Sequence, residues 1–191
     1  QPPRRISSIF TPMSTYDVKQ RAQKIRLLLT DVDGVLTDGG VFYGADGEVM
    51  KRFNIRDGMG VERLREAGIE TGFITGEGSP SVKKRAEKLK IDRVYLEAKN
   101  KKEIIEGIVR DEGIALDEIA YIGDDVNDLE AMKMVGLAAS PVDGFVEVRE
   151  AAHYVCRAPG GYGAFREFAE LILGIRTAER ESAAPVGFGI A

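Results

Sequence analysis

Two carboxylates, Asp31 and Asp33, follow directly on the apolar run Leu27-Leu28-Leu29. Such a run reads as a strand covered on both faces, Gly34 lets the chain turn sharply after it, and the carboxyl edge of a parallel strand is where α/β sheets bind ligands. Acidic groups two residues apart repel unless a cation or a proton lies between them, so the pair points to Mg²⁺ or to acid–base chemistry. Three further groups fall at the ends of later strands. Thr75-Gly76 offers a hydroxyl and a helix start whose N–H groups can hold an anion. Lys101 and Lys102 stand at the head of a helix, where the helix dipole disfavours cations unless they serve an anionic ligand. Gly123-Asp124-Asp125-Val126-Asn127-Asp128 supplies three carboxylates over five residues. Asp31, Asp33 and Asp124 can converge on one divalent ion, and an all-oxygen donor set favours Mg²⁺ over zinc. The register of the lysine loop leaves Lys101 and Lys102 as competing candidates for the anion.

The elements that must position these residues alternate. Strands are predicted over 26–31, 69–75, 93–96, 119–123, 137–140 and 152–155, and helices over 58–67, 79–90, 101–112, 127–135, 144–150 and 163–173. Gly68, Gly113 and Gly136 follow helices, as glycine does at left-handed helix ends. Repeated βα units predict a doubly wound parallel sheet of the α/β class. Residues 39–54 interrupt the alternation: β-type residues flank Ala45-Asp46-Gly47, which predicts a β-hairpin projecting from the carboxyl edge. One domain is expected over 15–176, with an irregular extension over 1–14 and a tail over 177–191.

The 191 residues are 43% hydrophobic and 30% charged, enough for one full core. A formal charge of −4 argues against nucleic-acid binding as the main activity, and no apolar stretch approaches a membrane span or a signal-peptide core. Cys156 is the only cysteine, so no internal disulfide forms and the cytoplasm is the expected compartment. His153, the only histidine, falls on a predicted strand and reads as packed structure.

The set DVDGV (Asp31 to Val35), Thr75-Gly76, Lys102 and GDDVND (Gly123 to Asp128) resembles the four motifs of the haloacid dehalogenase superfamily of phosphohydrolases. More narrowly, DVDGVLTDGG, the hairpin, FNIRDGMG (Phe53 to Gly60) and GGYGAFRE (Gly160 to Glu167) are similar to the 3-deoxy-manno-octulosonate 8-phosphate phosphatase group and its relatives acting on nine-carbon keto-deoxy sugar acids. The resemblance implies that Asp31 is the nucleophile forming an aspartyl-phosphate and that Asp33 is the general acid. It implies that Thr75 and Lys102 bind phosphoryl oxygens, and that Mg²⁺ is held by Asp31, the Asp33 carbonyl and Asp124, with Asp125 and Asp128 in support. Thr37, Arg56, Asp57, Gly76, Glu77, Lys88, Arg157, Gly160 and Gly161 are the implied substrate contacts, the last three reaching a neighbouring subunit. With room only for a hairpin and single helices between the motifs, the chain resembles the subgroup without a cap domain, whose members are homotetramers. Glu77 and Lys88 look like the nine-carbon group, Arg56-Asp57-Gly58 like the octulosonate group; the octulosonate reading stands first and the nine-carbon reading second. A catalytically silent scaffold of the same fold and a phosphorelay receiver domain are the readings from other classes. A receiver lacks both the acid two residues after the nucleophile and the GDDVND pattern.

Overall fold

The structure is a computed structural model and describes residues 15–183. At its centre lie six parallel strands in the order β5-β4-β1-β6-β7-β8: β1 (Leu27–Thr30), β4 (Glu70–Ile74), β5 (Arg93–Tyr95), β6 (Ile119–Ile122), β7 (Leu137–Ser140) and β8 (Tyr154–Val155). β1 is flanked by β4 on one side and β6 on the other, with Thr30 in register with both Phe73 and Ile122. The chain order reverses across β1, which opens a crevice at the carboxyl ends of β1 and its neighbours.

Alternation along β1 divides the core. Leu28 faces one layer and Leu27 and Leu29 the other, and all three are fully buried, worth about 1.5–3 kcal/mol each. The first layer is built by helices α1 (Thr15–Lys24), α2 (Ile55–Glu66), α3 (Pro80–Leu89) and α7 (Ala164–Ala183), with Leu64, Phe73, Phe165 and Phe168 at its heart. The second is built by α4 (Lys101–Glu112), α5 (Leu129–Met134) and α6 (Val146–Ala151), around Ile105, Tyr121 and Met132. Local signals set the helix ends. Asn54, Ser79 and Asn100 cap the starts of α2, α3 and α4 with side-chain oxygens that accept backbone N–H bonds. Left-handed Gly113 ends α4.

The hairpin is present as β2 (Val41–Gly44) and β3 (Gly47–Lys51), paired antiparallel with a register shift at Phe42/Tyr43 and forming a sheet of its own. No second globular layer interrupts the connections between motifs, so there is no cap domain among the described residues.

Several boundaries differ from the sequence expectation. α1 was not predicted; Val18, Ala22 and the following Ile25 dock it on the first layer. α2 begins at Ile55 because Asn54 is the cap. The stretch 127–135 splits into a 3-10 turn (Val126–Asp128) and α5, because Asp128 turns inward. α7 continues past Arg176 to Ala183, so 177–183 is helical; Ile172 and Leu173 pack on the core, and Arg176 ties back to the Ile25 carbonyl. The expected extension over 1–14 and the end of the tail, 184–191, lie outside the described residues. No described helix is long and apolar enough to cross a membrane.

Candidate active site

β1, β4 and β6 are neighbours in the sheet, and the segments that follow them carry Asp31, Thr75 and Asp124. The Asp31 N–H donates to the Ile122 carbonyl at 2.9 Å, carrying the sheet ladder one step past β1. Thr75 is clamped by the segment after β5: its N–H donates to Tyr95 O and its carbonyl accepts from Ala98, each at 2.9 Å. Its hydroxyl accepts the Glu77 N–H at 3.2 Å. From the start of α4, Lys101 reaches into the same space. Its Nζ donates to Asp31 Oδ1 at 2.5 Å and to Asp128 Oδ1 at 2.6 Å, and all three residues are buried.

Asp128 is the hub of this network. Oδ1 accepts from Lys101 and from the Tyr121 hydroxyl, each at 2.6 Å, while Oδ2 accepts the N–H groups of Asp124 and Asp125 at 3.0 and 3.2 Å. All four lone pairs of the carboxylate are used. A Cβ at Gly123 would fall 2.4 Å from the Asp128 carboxyl carbon, so glycine is required for this close packing. Although burial alone works in the other direction, Asp31 and Asp128 together hold the Lys101 ammonium above its ordinary range.

Carboxylate oxygens of Asp31, Asp124 and Asp128 lie within 4.8 Å of one another. Burial, and then the neighbouring Asp128, push the Asp31 carboxyl up to about 7 despite Lys101. Burial, followed by Asp31 and Asp128, pushes Asp124 up to about 8. Three carboxylates against one ammonium leave an excess of two negative charges, which a divalent cation would cancel. With Asp128 saturated, Asp31 and Asp124 are the carboxylates left to ligate it. Gly34, at φ +90°, keeps the space open: a Cβ there would lie 2.0 Å from Asp124 Oδ2. Hard oxygen donors in a crowded, buried, over-negative cradle fit Mg²⁺.

Residues 55–136 match the family model described as haloacid dehalogenase-like hydrolase. A 3-deoxy-D-manno-octulosonate 8-phosphate phosphatase of Haemophilus influenzae is 36% identical over 156 residues, 82% of this chain and 87% of the relative. The chain belongs to the 3-deoxy-D-manno-octulosonate 8-phosphate phosphatase family. Solved structures of this family superpose closely. The enzyme of Yersinia pestis does so with TM-score 0.83 at 38% identity, covering 90% of this chain and 92% of its own. The enzyme of Moraxella catarrhalis, in complex with magnesium ion, phosphate ion and a KDO molecule, does so with TM-score 0.83 at 34% identity, covering 90% of this chain and all of its own.

Set against this phosphatase family's fold, the residues expected from sequence divide into two groups. Asp31, Thr75, Asp124 and Asp128 converge as described, and Asp33 stands at the rim with both carboxylate oxygens 2.7 Å from Lys51 Nζ. Lys102 does not join them. It is Lys101 that turns inward, while Lys102 faces outward toward Glu106 at 3.7 Å, because consecutive helical positions lie about 100° apart around the axis.

Asp125 caps the short 3-10 turn through the Val126 N–H. Thr37 is fully buried and braces its own loop, accepting from Gly34 and Gly39 N–H, so it presents nothing to a ligand. Asp57 is buried as well: Oδ1 accepts the Arg166 N–H at 2.9 Å at the start of α7, and Oδ2 has no partner. Its work is to join α2 to α7. Lys88 lies exposed in the last turn of α3, at the far end of the helix from its Ser79 cap. Gly160 and Gly161 pack on this chain's own catalytic loop rather than reaching out. Gly161 N–H donates to Val35 O at 2.9 Å, and a Cβ on Gly160 would lie 1.8 Å from Gly34 O. Arg56, Gly76, Glu77 and Arg157 are exposed, Arg157 resting on Glu167. His153 is structural, its Nδ1 accepting the Ala138 N–H at 2.8 Å.

Sequence reasoning missed Lys51 and Tyr121. Tyr121 left a usable signal, since a tyrosine inside the apolar strand Ile119–Ile122 has a hydroxyl that must find a partner. Lys51 left none beyond its place at the end of the hairpin.

Proposed function

We propose that this protein is a Mg²⁺-dependent phosphomonoester hydrolase that converts 3-deoxy-D-manno-octulosonate 8-phosphate to the free sugar acid and phosphate through an aspartyl-phosphate on Asp31. The observation that carries the reading is the Asp31 carboxylate fixed at a buried strand end by Lys101, with Asp124 and Thr75 around it and Asp33 at the rim. Lys101 holds Oδ1, which leaves Oδ2 to attack phosphorus in line. As that bond forms, the bond from phosphorus to the sugar oxygen breaks, and Asp33 donates a proton to the departing oxygen. Asp33 then takes a proton from the water that hydrolyses the acyl-phosphate. Lys101 and the Thr75 hydroxyl stand where the non-bridging oxygens gather charge. Asp31 and Asp124 would hold Mg²⁺, which would supply charge neutralisation for the reaction.

The names of the relatives support the eight-carbon sugar acid, and the Moraxella catarrhalis complex pairs that sugar with magnesium and phosphate in the same fold. Exposed Glu77, beside Thr75, is the feature that favours a nine-carbon substrate. Phosphate release from octulosonate 8-phosphate, a nonulosonate 9-phosphate and a hexose phosphate, with Asp31→Asn as control, tests the assignment. Preference for the eight-carbon acid is the expected result. Preference for nine carbons transfers the assignment to that group, and no Asp31-dependent release from any of them moves it to the scaffold reading.

The assembly proposed is a homotetramer built through the hairpin, where Phe42, Tyr43, Val49 and Met50 are all more than half exposed. A free two-stranded hairpin needs an apolar surface to pack against. Sedimentation of wild type against Phe42→Lys with Met50→Glu tests this, and an unchanged mass would remove the hairpin from the interface. The proposed compartment is the cytoplasm, supported by the buried free thiol of Cys156.

A further inference from the structure

Lys51 is the last residue of β3, paired with Val41 at the base of the hairpin. Its side chain is 1% exposed, yet its Nζ holds both oxygens of the Asp33 carboxylate at 2.7 Å. Behind it, Glu48 Oε2 lies 3.5 Å from the same Nζ, and Glu48 Oε1 accepts the Ser79 hydroxyl at 2.5 Å. Ser79 is the cap of α3, its oxygen taking the Val82 N–H. An unbroken polar chain thus runs from the start of α3 through the hairpin to Asp33. A carboxylate on a partly open loop has two free side-chain torsions, whereas one gripped at both oxygens by a buried ammonium has a fixed place.

We propose that Lys51, backed by Glu48 and Ser79, is a positioning residue that holds Asp33 where it passes its proton to the leaving oxygen. The proposal rests on the phosphatase reading above. In the step concerned, Asp33 acts in its protonated form, Lys51 holding the unprotonated oxygen, and the proton moves from the other oxygen to the sugar oxygen as the electron pair of the breaking P–O bond moves to that oxygen. Loss of position matters in proportion to how much the leaving group needs that proton. Lys51 therefore acts on leaving-group dependence, which neither a merely structural lysine nor one that binds the sugar would change.

The test uses the full chain with Mg²⁺ and compares kcat/KM for phenyl phosphate and 4-nitrophenyl phosphate, since kcat/KM reports only steps through leaving-group departure. Nitrophenolate leaves without help; phenol, with a pKa of about 10 like tyrosine, leaves far better with a proton. Lys51→Met is expected to lose at least tenfold more on phenyl phosphate than on 4-nitrophenyl phosphate. Glu48→Gln, which keeps Lys51, should show the same bias in weaker form, and Lys51→Arg should restore part of it. Equal losses on the two esters in folded Lys51→Met and Glu48→Gln would overturn the proposal while leaving the phosphatase reading intact. Release that is insensitive to Asp31→Asn in otherwise unaltered protein would instead overturn both.

Discussion

Replacing Lys101 by Met, with Lys102→Met alongside, separates two neighbouring ammonium groups that sequence alone cannot rank. Lys101 makes two ion pairs of 2.5 and 2.6 Å with its side chain 2% exposed, whereas the side chain of Lys102 is 47% exposed. Removing one member of a buried, hydrogen-bonded charge network costs about 3–5 kcal/mol. If the developing charge on the phosphoryl oxygens meets Lys101 in the reacting state, that cost appears as a loss of about 150- to 4,000-fold in kcat/KM, at 1.4 kcal/mol per factor of ten. Surface pairs such as Lys102 with Glu106 are worth about 0.3–0.5 kcal/mol, which sets a loss below about threefold for Lys102→Met. Stability gives a second reading. Without Lys101 and without Mg²⁺, Asp31 faces Asp128 unscreened, and uptake of a proton relieves the repulsion. The variant's deficit in chelator should therefore grow as pH rises from 6 to 8.5. Phosphate release in steady state and thermal unfolding check the two parts. A Lys101→Met enzyme within threefold of wild type, or a Lys102→Met enzyme that loses as much as Lys101→Met, would refute the assignment.

Chelation should abolish turnover and reveal a pH-dependent stability. Asp31 and Asp124 rise in the folded state from 3.8 to about 7 and about 8, so the folded protein holds protons the unfolded chain releases. Stability without metal then falls as pH rises from about 4 to about 8, and the gain in Tm on adding Mg²⁺ is larger at pH 8 than at pH 6; a Mg²⁺ effect independent of pH would contradict this. Gly160→Ala sets a methyl against the Gly34 carbonyl, so Tm should drop by roughly 5–10 °C and turnover by more than tenfold, whereas wild-type values for both would show that the two loops do not touch. Asp57 is raised by burial from 3.8 to about 6, so wild type should lose about 3 kcal/mol relative to Asp57→Asn as pH climbs through that interval. Parallel stability curves in urea would refute it.

Legibility followed periodicity. The succession of strands and helices along the chain, the hairpin and the strand-end motifs could be read because each rests on a local pattern: an apolar run, a turn dipeptide, or a carboxylate beside glycine. What could not be read depends on packing between distant segments. Lys101 and Lys102 are chemically equal, and only the rotation of α4 against β6 decides which one meets Asp31. Thr37 and Asp57 look like ligand-binding polar residues in sequence, but Thr37 holds backbone N–H groups of its own loop and Asp57 holds one at the start of α7. α1 escaped notice because three apolar residues are too few to mark a helix until the face it covers is known.

The site also divides its labour by exposure. Asp31, Lys101 and Asp128, the centre of the proposed phosphoryl chemistry, are buried and mutually hydrogen-bonded, so their geometry is set before substrate arrives. Arg56, Glu77 and Arg157, the remaining charged candidates for reading the sugar, are all exposed, where water and salt weaken any single charge contact. A lone exposed cation cannot discriminate an eight-carbon from a nine-carbon acid by much more than the ~1 kcal/mol of a surface ion pair. Strong discrimination therefore requires that these groups be desolvated when substrate binds.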